Sequence, residues 1–255
     1  MPSITNHHVL IIGGTSGIGF AAAGLALSSG CTISIASSNP SRVSSAILRL
    51  QTSFPDQKTQ ISGHEIDLST PDIEARLSAL FSTVTSNHTK PLDHIIYTAG
   101  RAPQVKPLSE TDIVETLKST QLFYAAPLAI AKLAPAYLKP GYTSSITFTG
   151  GRVADNPMPN YALYSAYAAG LHGLVKGLAL DLAPVRVNVV SPGATKTEMW
   201  GGEEMREMIA KTAGEKALLG KVGTAEEVGE AYVYLMRDWN ATGAVVRSEG
   251  GAILQ

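Results

Sequence analysis

Residues 9–27 read VLIIGGTSGIGFAAAGLAL. The first four are β-branched or aliphatic and fit a buried strand, the next seven carry four glycines, and the rest favours a helix. Strand, glycine turn and helix in that order open a βαβ unit. The glycines allow a sharp bend and let the backbone approach a pyrophosphate, whose charge then rests on the N-terminal amides of the helix. Gly13, Thr15, Ser16, Gly17, Ile18 and Gly19 are therefore candidate cofactor-binding residues.

The same alternation runs outward from this turn. TISIA at 32–36, HIIYT at 94–98, SITFT at 145–149 and VRVNVV at 185–190 read as strands, with a third strand closing near Asp67 and a last one near 243–247. Helical periodicity occupies about 17–29, 40–53, 70–86, 110–138, 161–183 and 224–237. Strands separated by helices predict an α/β chain: a single doubly wound Rossmann-type domain over residues 1–255, its parallel sheet flanked by helices. Residues 194–222 lack a clean strand and carry paired glycines beside Met199, Trp200 and Met205. That composition suits a mobile lid over a pocket, or a surface helical hairpin.

Composition narrows the partners. Twenty basic and 21 acidic residues among 255 leave no electrostatic footprint for nucleic acid or anionic lipid, so a small-molecule partner is expected. No apolar stretch approaches the ~20 residues of a membrane span. The one cysteine, Cys31, excludes an internal disulfide, and the start MPSITNHH lacks the pattern of a signal peptide, which predicts a cytoplasmic protein. His7, His8, His64, His88 and His94 show no metal spacing with carboxylates or Cys31, so no metal is expected.

The second strand selects the cofactor. An Asp or Glu at its end would grip a ribose 2′-hydroxyl, but the sequence there is ISIASSNPSR. With Ser37, Ser38, Asn39 and Arg42 available to donate to a 2′-phosphate, NADP(H) is predicted over NAD(H), although Arg42 also fits a solvated place on the next helix. Asp67 and Leu68 follow the third strand where an adenine would lie; Asp67 either meets its amino group or caps the DLST turn.

The GGTSGIG turn, YTAG at 97–100, the helix YSAYAAGLHGLVKGLALDLAP, then RVNVVSPGATKTEM and ATGAVVRSEGGAIL resemble the short-chain dehydrogenase/reductase family over nearly the whole chain. The resemblance implies that Thr98, Ala99 and Gly100 line the cofactor and that Pro192, Gly193, Thr195 and Thr197 clamp its nicotinamide end. It also implies a homodimer or homotetramer built on the helices at 110–138 and 161–183, where Ala125, Ala129, Ala168, Ala169 and Leu171 look exposed and His172 would join the contact. In that family a tyrosine moves the substrate proton, a lysine four residues later lowers its pKa, and a serine about 13 residues earlier positions the substrate oxygen. Anchoring on RVNVVSPG puts Tyr164, Ala168 and Gly151 at those places, with Ser119 or Gln121 at the family's asparagine. Taking Tyr161 or Tyr167 instead would put Ser165 or Leu171 at the lysine position, so no register restores the pair.

A phenol with a pKa near 10 and no cation beside it is phenolate in only about one molecule in 10³ at pH 7. Losing general acid catalysis typically costs about 10²- to 10⁴-fold in rate, so alcohol oxidation and ordinary ketone reduction are both disfavoured. An iminium carbon is already cationic and takes hydride without a proton donor. Within the family, the chain most resembles atypical fungal members of indole-alkaloid pathways, including NADPH-dependent reductase/Diels–Alderases of bicyclo[2.2.2]diazaoctane biosynthesis. Those relatives carry an arginine in the middle helix and an Asp-Pro-Gly-Trp stretch, where this sequence has Gln121 and Met158-Pro159-Asn160-Tyr161. The candidate catalytic residues are Tyr164, Tyr161, Asp155 and Gln121. Asp155, like Arg152, either stabilises a charged intermediate or sits in an ion pair, and Tyr164 either donates a hydrogen bond or packs. Three readings follow: a reductase of an iminium in specialised metabolism, with or without coupled cyclisation; a redox-neutral cyclase that keeps NADP(H) as a wall; and a non-catalytic NADP(H)-binding module.

Overall fold

The computed structural model describes residues 1–103 and 105–255. Its strands are β1 (His8–Ile12), β2 (Thr32–Ser37), β3 (Ile61–Glu65), β4 (His94–Tyr97), β5 (Ser145–Thr149), β6 (Arg186–Pro192), β7 (Thr195–Lys196), β8 (Gly223–Thr224) and β9 (Val245–Ser248). Its α-helices are α1 (Gly17–Ser28), α2 (Pro40–Ser53), α3 (Ile73–Val84), α4 (Ile113–Thr120), α5 (Ala126–Leu133), α6 (Ala162–Asp181), α7 (Glu203–Gly214) and α8 (Ala225–Arg237). Seven strands pair in parallel in the order β3-β2-β1-β4-β5-β6-β9, as the alternating sequence predicts. The order reverses between β1 and β4, and the carboxyl ends of strands at such a switch point leave a crevice.

Hydrophobic layers cover both faces of the sheet. On one, Val9, Ile11, Ile33 and Ile35 pack with Ala22, Ala26, Leu27, Tyr232 and Met236 of α1 and α8. On the other, Leu10, Ile95, Ile146 and Val187 pack with Leu77, Phe81, Ile130, Leu171 and Val175 of α3, α5 and α6. Small residues let α1 and α8 cross closely: a Cβ on Gly229 would stand 3.0 Å from Leu25 Cδ1 and 3.3 Å from Ala22 N. Arg186 is buried, and its guanidinium donates to the carbonyls of Leu235 (2.6 Å) and Asp238 (2.9 Å), satisfying the C-terminal end of α8.

Four details depart from the sequence reading. The helix expected over 110–138 is α4, a π-turn at Gln121–Ala125, α5 and a 3₁₀ turn at Ala134–Ala136. Pro127 and Pro135 lack the N–H a continuous helix needs, and a π-turn absorbs the lost bond. β3 ends at Glu65, so Asp67 lies beyond the strand. Residues 194–222 hold the short strand β7, which pairs with β8, and the helix α7. Finally, Ala129, Ala168 and Leu171 are buried at 5–8% exposure in the chain's own core rather than presented outward. Ala169 is exposed as expected, and the large outward apolar residues of this region are Ile113, Val114, Leu117, Leu128 and Leu180.

Candidate active site

The glycine turn sits at the end of β1, where the strand order reverses. Gly13 (φ +99°) and Gly17 (φ +52°) occupy backbone conformations that disfavour side chains. A Cβ on Gly13 would come within 2.5 Å of Ala99 N and 2.6 Å of Thr98 Oγ1, and one on Gly19 would collide with the Gly13 carbonyl and Thr98 Oγ1. Thr98 is fixed by its N–H donating to the Ile12 carbonyl at 2.8 Å. Ser16 is the extended N-cap of α1 but gives no side-chain cap, so the amides of Gly17, Ile18 and Gly19 face the crevice without an acceptor from that residue. This cradle fits a pyrophosphate: bulk is excluded where the backbone must approach, and amides gather where charge must rest.

Around it the strand ends deliver the other candidates. Ser37 closes β2, while Ser38, Asn39 and Arg42 are exposed beside it. Asn39 caps α2, its Oδ1 accepting from Arg42 N at 2.9 Å, so that oxygen is committed to the helix. Asp67 Oδ1 accepts from both the N–H (2.9 Å) and the hydroxyl (2.7 Å) of Ser69, contacts that hold its carboxyl below the usual carboxylate range. Leu68 is buried in the core against α3 and α5. Thr98, Ala99 and Gly100 follow β4 next to the turn. Pro192 ends β6, the Gly193 N–H donates to the Ser248 carbonyl at 3.0 Å, and the Thr195 hydroxyl turns back to the Gly193 carbonyl at 3.1 Å. Thr197 reaches the glycine turn itself: a Cβ on Gly17 would lie 3.1 Å from its methyl group. The two ends of the candidate cofactor site are thus brought together.

The candidate catalytic residues do not form one cluster. Tyr161 and Tyr164, at the start of α6, have ring centroids 6.1 Å apart. Tyr164 also stands edge-on to Phe123 at 6.1 Å and to Tyr167 at 6.2 Å, and Phe123 stacks on Tyr167 at 4.8 Å. Asp155 points elsewhere, into a two-pronged ion pair with Arg247. Gln121 donates to the Thr70 carbonyl, tying the π-turn to the approach of α3. Arg152 Nη2 lies 3.0 Å from Met158 Sδ. Ala168, four residues beyond Tyr164, is buried and holds no charge. Gly151 has extended backbone (φ −178°), and a Cβ there would meet only Val153 Cγ2 at 3.9 Å, so a larger side chain would fit. His172 is half-buried with its Nε2 3.4 Å from where a Gly150 Cβ would stand, and burial lowers its pKa.

Three participants escaped sequence reasoning. Phe123 lies in the π-turn and stacks on Tyr167 of α6, a placement that no periodicity announces. Arg101 follows the 97–100 stretch and adds a positive charge on the side of Tyr167, whose pKa burial raises. Glu198 accepts a hydrogen bond from Gly17 N at 2.9 Å; the acid next to Thr197 was the available signal. Along α7, a groove of about 430 Å³ is lined by Gly202, Glu204, Met205 and Met208. Among the described residues no group of three or more His, Cys, Asp or Glu could hold a metal ion, and no helix is long and apolar enough to cross a membrane.

The SDR-like Rossmann domain model matches residues 2–255. The chain belongs to that family. Short-chain dehydrogenase/reductase ATR9 of Stachybotrys chlorohalonatus is 44% identical over the full length of both chains. The solved MalC reductase/Diels–Alderase of Malbranchea aurantiaca is 36% identical and superposes with a TM-score of 0.91 over 98% of this chain and 97% of that one. A small-chain dehydrogenase solved in complex with NADPH is 25% identical, with a TM-score of 0.78 over 98% of this chain and 100% of that one. The chain is accordingly an atypical fungal-type SDR, an oxidoreductase or cyclase, whose fold implies a nicotinamide cofactor.

Proposed function

We propose that this SDR is a cytoplasmic NADPH-dependent reductase of a cationic C=N⁺ substrate in specialised, alkaloid-type metabolism, working without the tyrosine–lysine proton relay. The observation that carries the reading is the pairing of a whole cofactor cradle with the uncharged, buried Ala168 beside a ring of aromatic side chains.

Bound NADPH would supply hydride. The amides of Gly17 to Gly19 hold the pyrophosphate, and Arg42 with Ser37 and Ser38 meets the 2′-phosphate. Pro192, Gly193, Thr195 and Thr197 seat the nicotinamide. Phe123, Tyr161 and Tyr164 offer π faces that would attract and orient a cation, with the buried Tyr167 stacked behind Phe123. Because hydride addition to a C=N⁺ carbon leaves a neutral amine, no group of this chain would have to deliver a proton. Residues 194–222 act as the lid that excludes water, with Met199, Met205 and Met208 supplying adaptable apolar surface.

The MalC neighbour's name joins reduction to a Diels–Alder step, which supports a second reading: cyclisation of the reduced product in the same pocket, where shape rather than a charged group would guide the reaction. Matched pairs of cyclic iminium ions and isosteric ketones, assayed for NADPH oxidation, test the primary reading. Turnover of the iminium at least about 10²-fold above the ketone supports it; equal turnover refutes it.

A further inference from the structure

The cofactor cradle already holds an anion, and the chain supplies it. Glu198 Oε2 accepts from the Gly17 N–H at 2.9 Å, at the first turn of a 12-residue helix whose N-cap provides no side-chain acceptor. Thr197 packs its methyl on Gly17 and fixes the approach. Glu198 is free for this contact because the neighbouring Lys196 is matched by Glu203 (2.9 Å) and Glu207 of α7. The Lys196 ion pairs fasten the chain two residues before Glu198 to α7, the helix that would cover the substrate.

We propose that Glu198 is an internal competitor for the pyrophosphate, so that NADP(H) must displace it and cofactor entry is coupled to movement of the 194–222 segment. This inference rests on the cofactor reading above. A carboxylate and a pyrophosphate cannot both accept from one amide without like charges in contact. An anion at a helix N-terminus is stabilised modestly, and removing that competitor should tighten cofactor binding by about two- to fivefold at low salt. The gain should shrink as salt rises, since the contact is exposed.

NADPH titrations of the full chain by fluorescence decide the matter. Glu198→Gln and Glu198→Ala should bind NADPH more tightly than wild type, while Glu204→Gln, which removes one charge from the same segment, should not. Hydrogen exchange should show faster exchange at Gly17 in Glu198→Ala without cofactor, with protection restored by NADPH. Unchanged or weaker NADPH binding by both Glu198 variants overturns the inference and leaves the cofactor reading standing. No nucleotide binding by wild type or variant overturns both.

Discussion

The Asp155 carboxylate and the Arg247 guanidinium meet in two parallel contacts, Nε to Oδ2 and Nη2 to Oδ1, both at 2.9 Å. The pair fastens the loop before α6 to β9, and the guanidinium holds the carboxyl of Asp155 below the usual carboxylate range. Because the pair is partly exposed, Asp155→Asn should lower stability by under about 1 kcal/mol. Turnover should change by less than about tenfold, measured beside thermal denaturation. A loss of about 10²-fold or more in kcat with an unchanged Tm would place Asp155 on the substrate instead.

Buried imidazoles make stability depend on pH. His94 is wholly buried between His7 Nδ1 (2.9 Å) and Ser145 Oγ (2.8 Å), and burial holds its pKa well below 6.5. Burial also lowers the pKa of His7, His8, His64 and His172. Since the unfolded chain binds these protons first, the stabilisation is complete above about pH 6.5 and is lost as pH falls toward the folded values. The urea midpoint should therefore drop between about pH 7.5 and 5.5, by the equivalent of about 1 kcal/mol or more. His7→Asn should flatten the slope. A midpoint that stays level or rises on acidification would contradict the burial argument.

Cofactor choice follows from the end of β2. Calorimetric titration should give NADPH a Kd about tenfold or more below that of NADH, near 1.4 kcal/mol, and Arg42→Ala should narrow the gap. Gly19→Ala drives a methyl into the Gly13 carbonyl and Thr98 and should abolish binding of both nucleotides. Equal affinities would remove the 2′-phosphate contact from the account.

The strands, the glycine turn and the parallel sheet were legible because each rests on local chemistry: β-branched runs, backbone conformations that favour glycine, and 3.6-residue periodicity. The site was legible only where backbone defines it. Side-chain partners separated by 92 residues, as in Asp155 and Arg247, leave no local trace. The prolines within 110–138 were readable, but the π-turn and the stacking of Phe123 on Tyr167 were not. Small residues such as Ala129 and Ala168 read equally well as an interface or as a close-packed core, and here they are core.

Self-association should run through the apolar residues that α4 leaves outside. Ile113, Val114 and Leu117 are 62–66% exposed on one short helix, and Leu108 beside it is 80% exposed. Light scattering should report a dimer or tetramer, and Ile113→Glu with Leu117→Glu should shift it toward the 26.8 kDa monomer. A wild-type monomer at micromolar concentration would show that this face serves another purpose.

The most direct test follows the hydride. The protein is incubated with nicotinamide-deuterated NADPH and the iminium substrate that the paired assay identifies, and mass spectrometry locates the label while absorbance counts NADP⁺. The account predicts one deuterium at the former C=N carbon, one NADP⁺ per product, and turnover that survives Tyr164→Phe within about tenfold. Unlabelled product with NADPH unspent would instead mean a redox-neutral cyclase. Efficient reduction of ordinary ketones that Tyr164→Phe abolishes would contradict the account outright, because another residue would then be doing the work of the missing lysine.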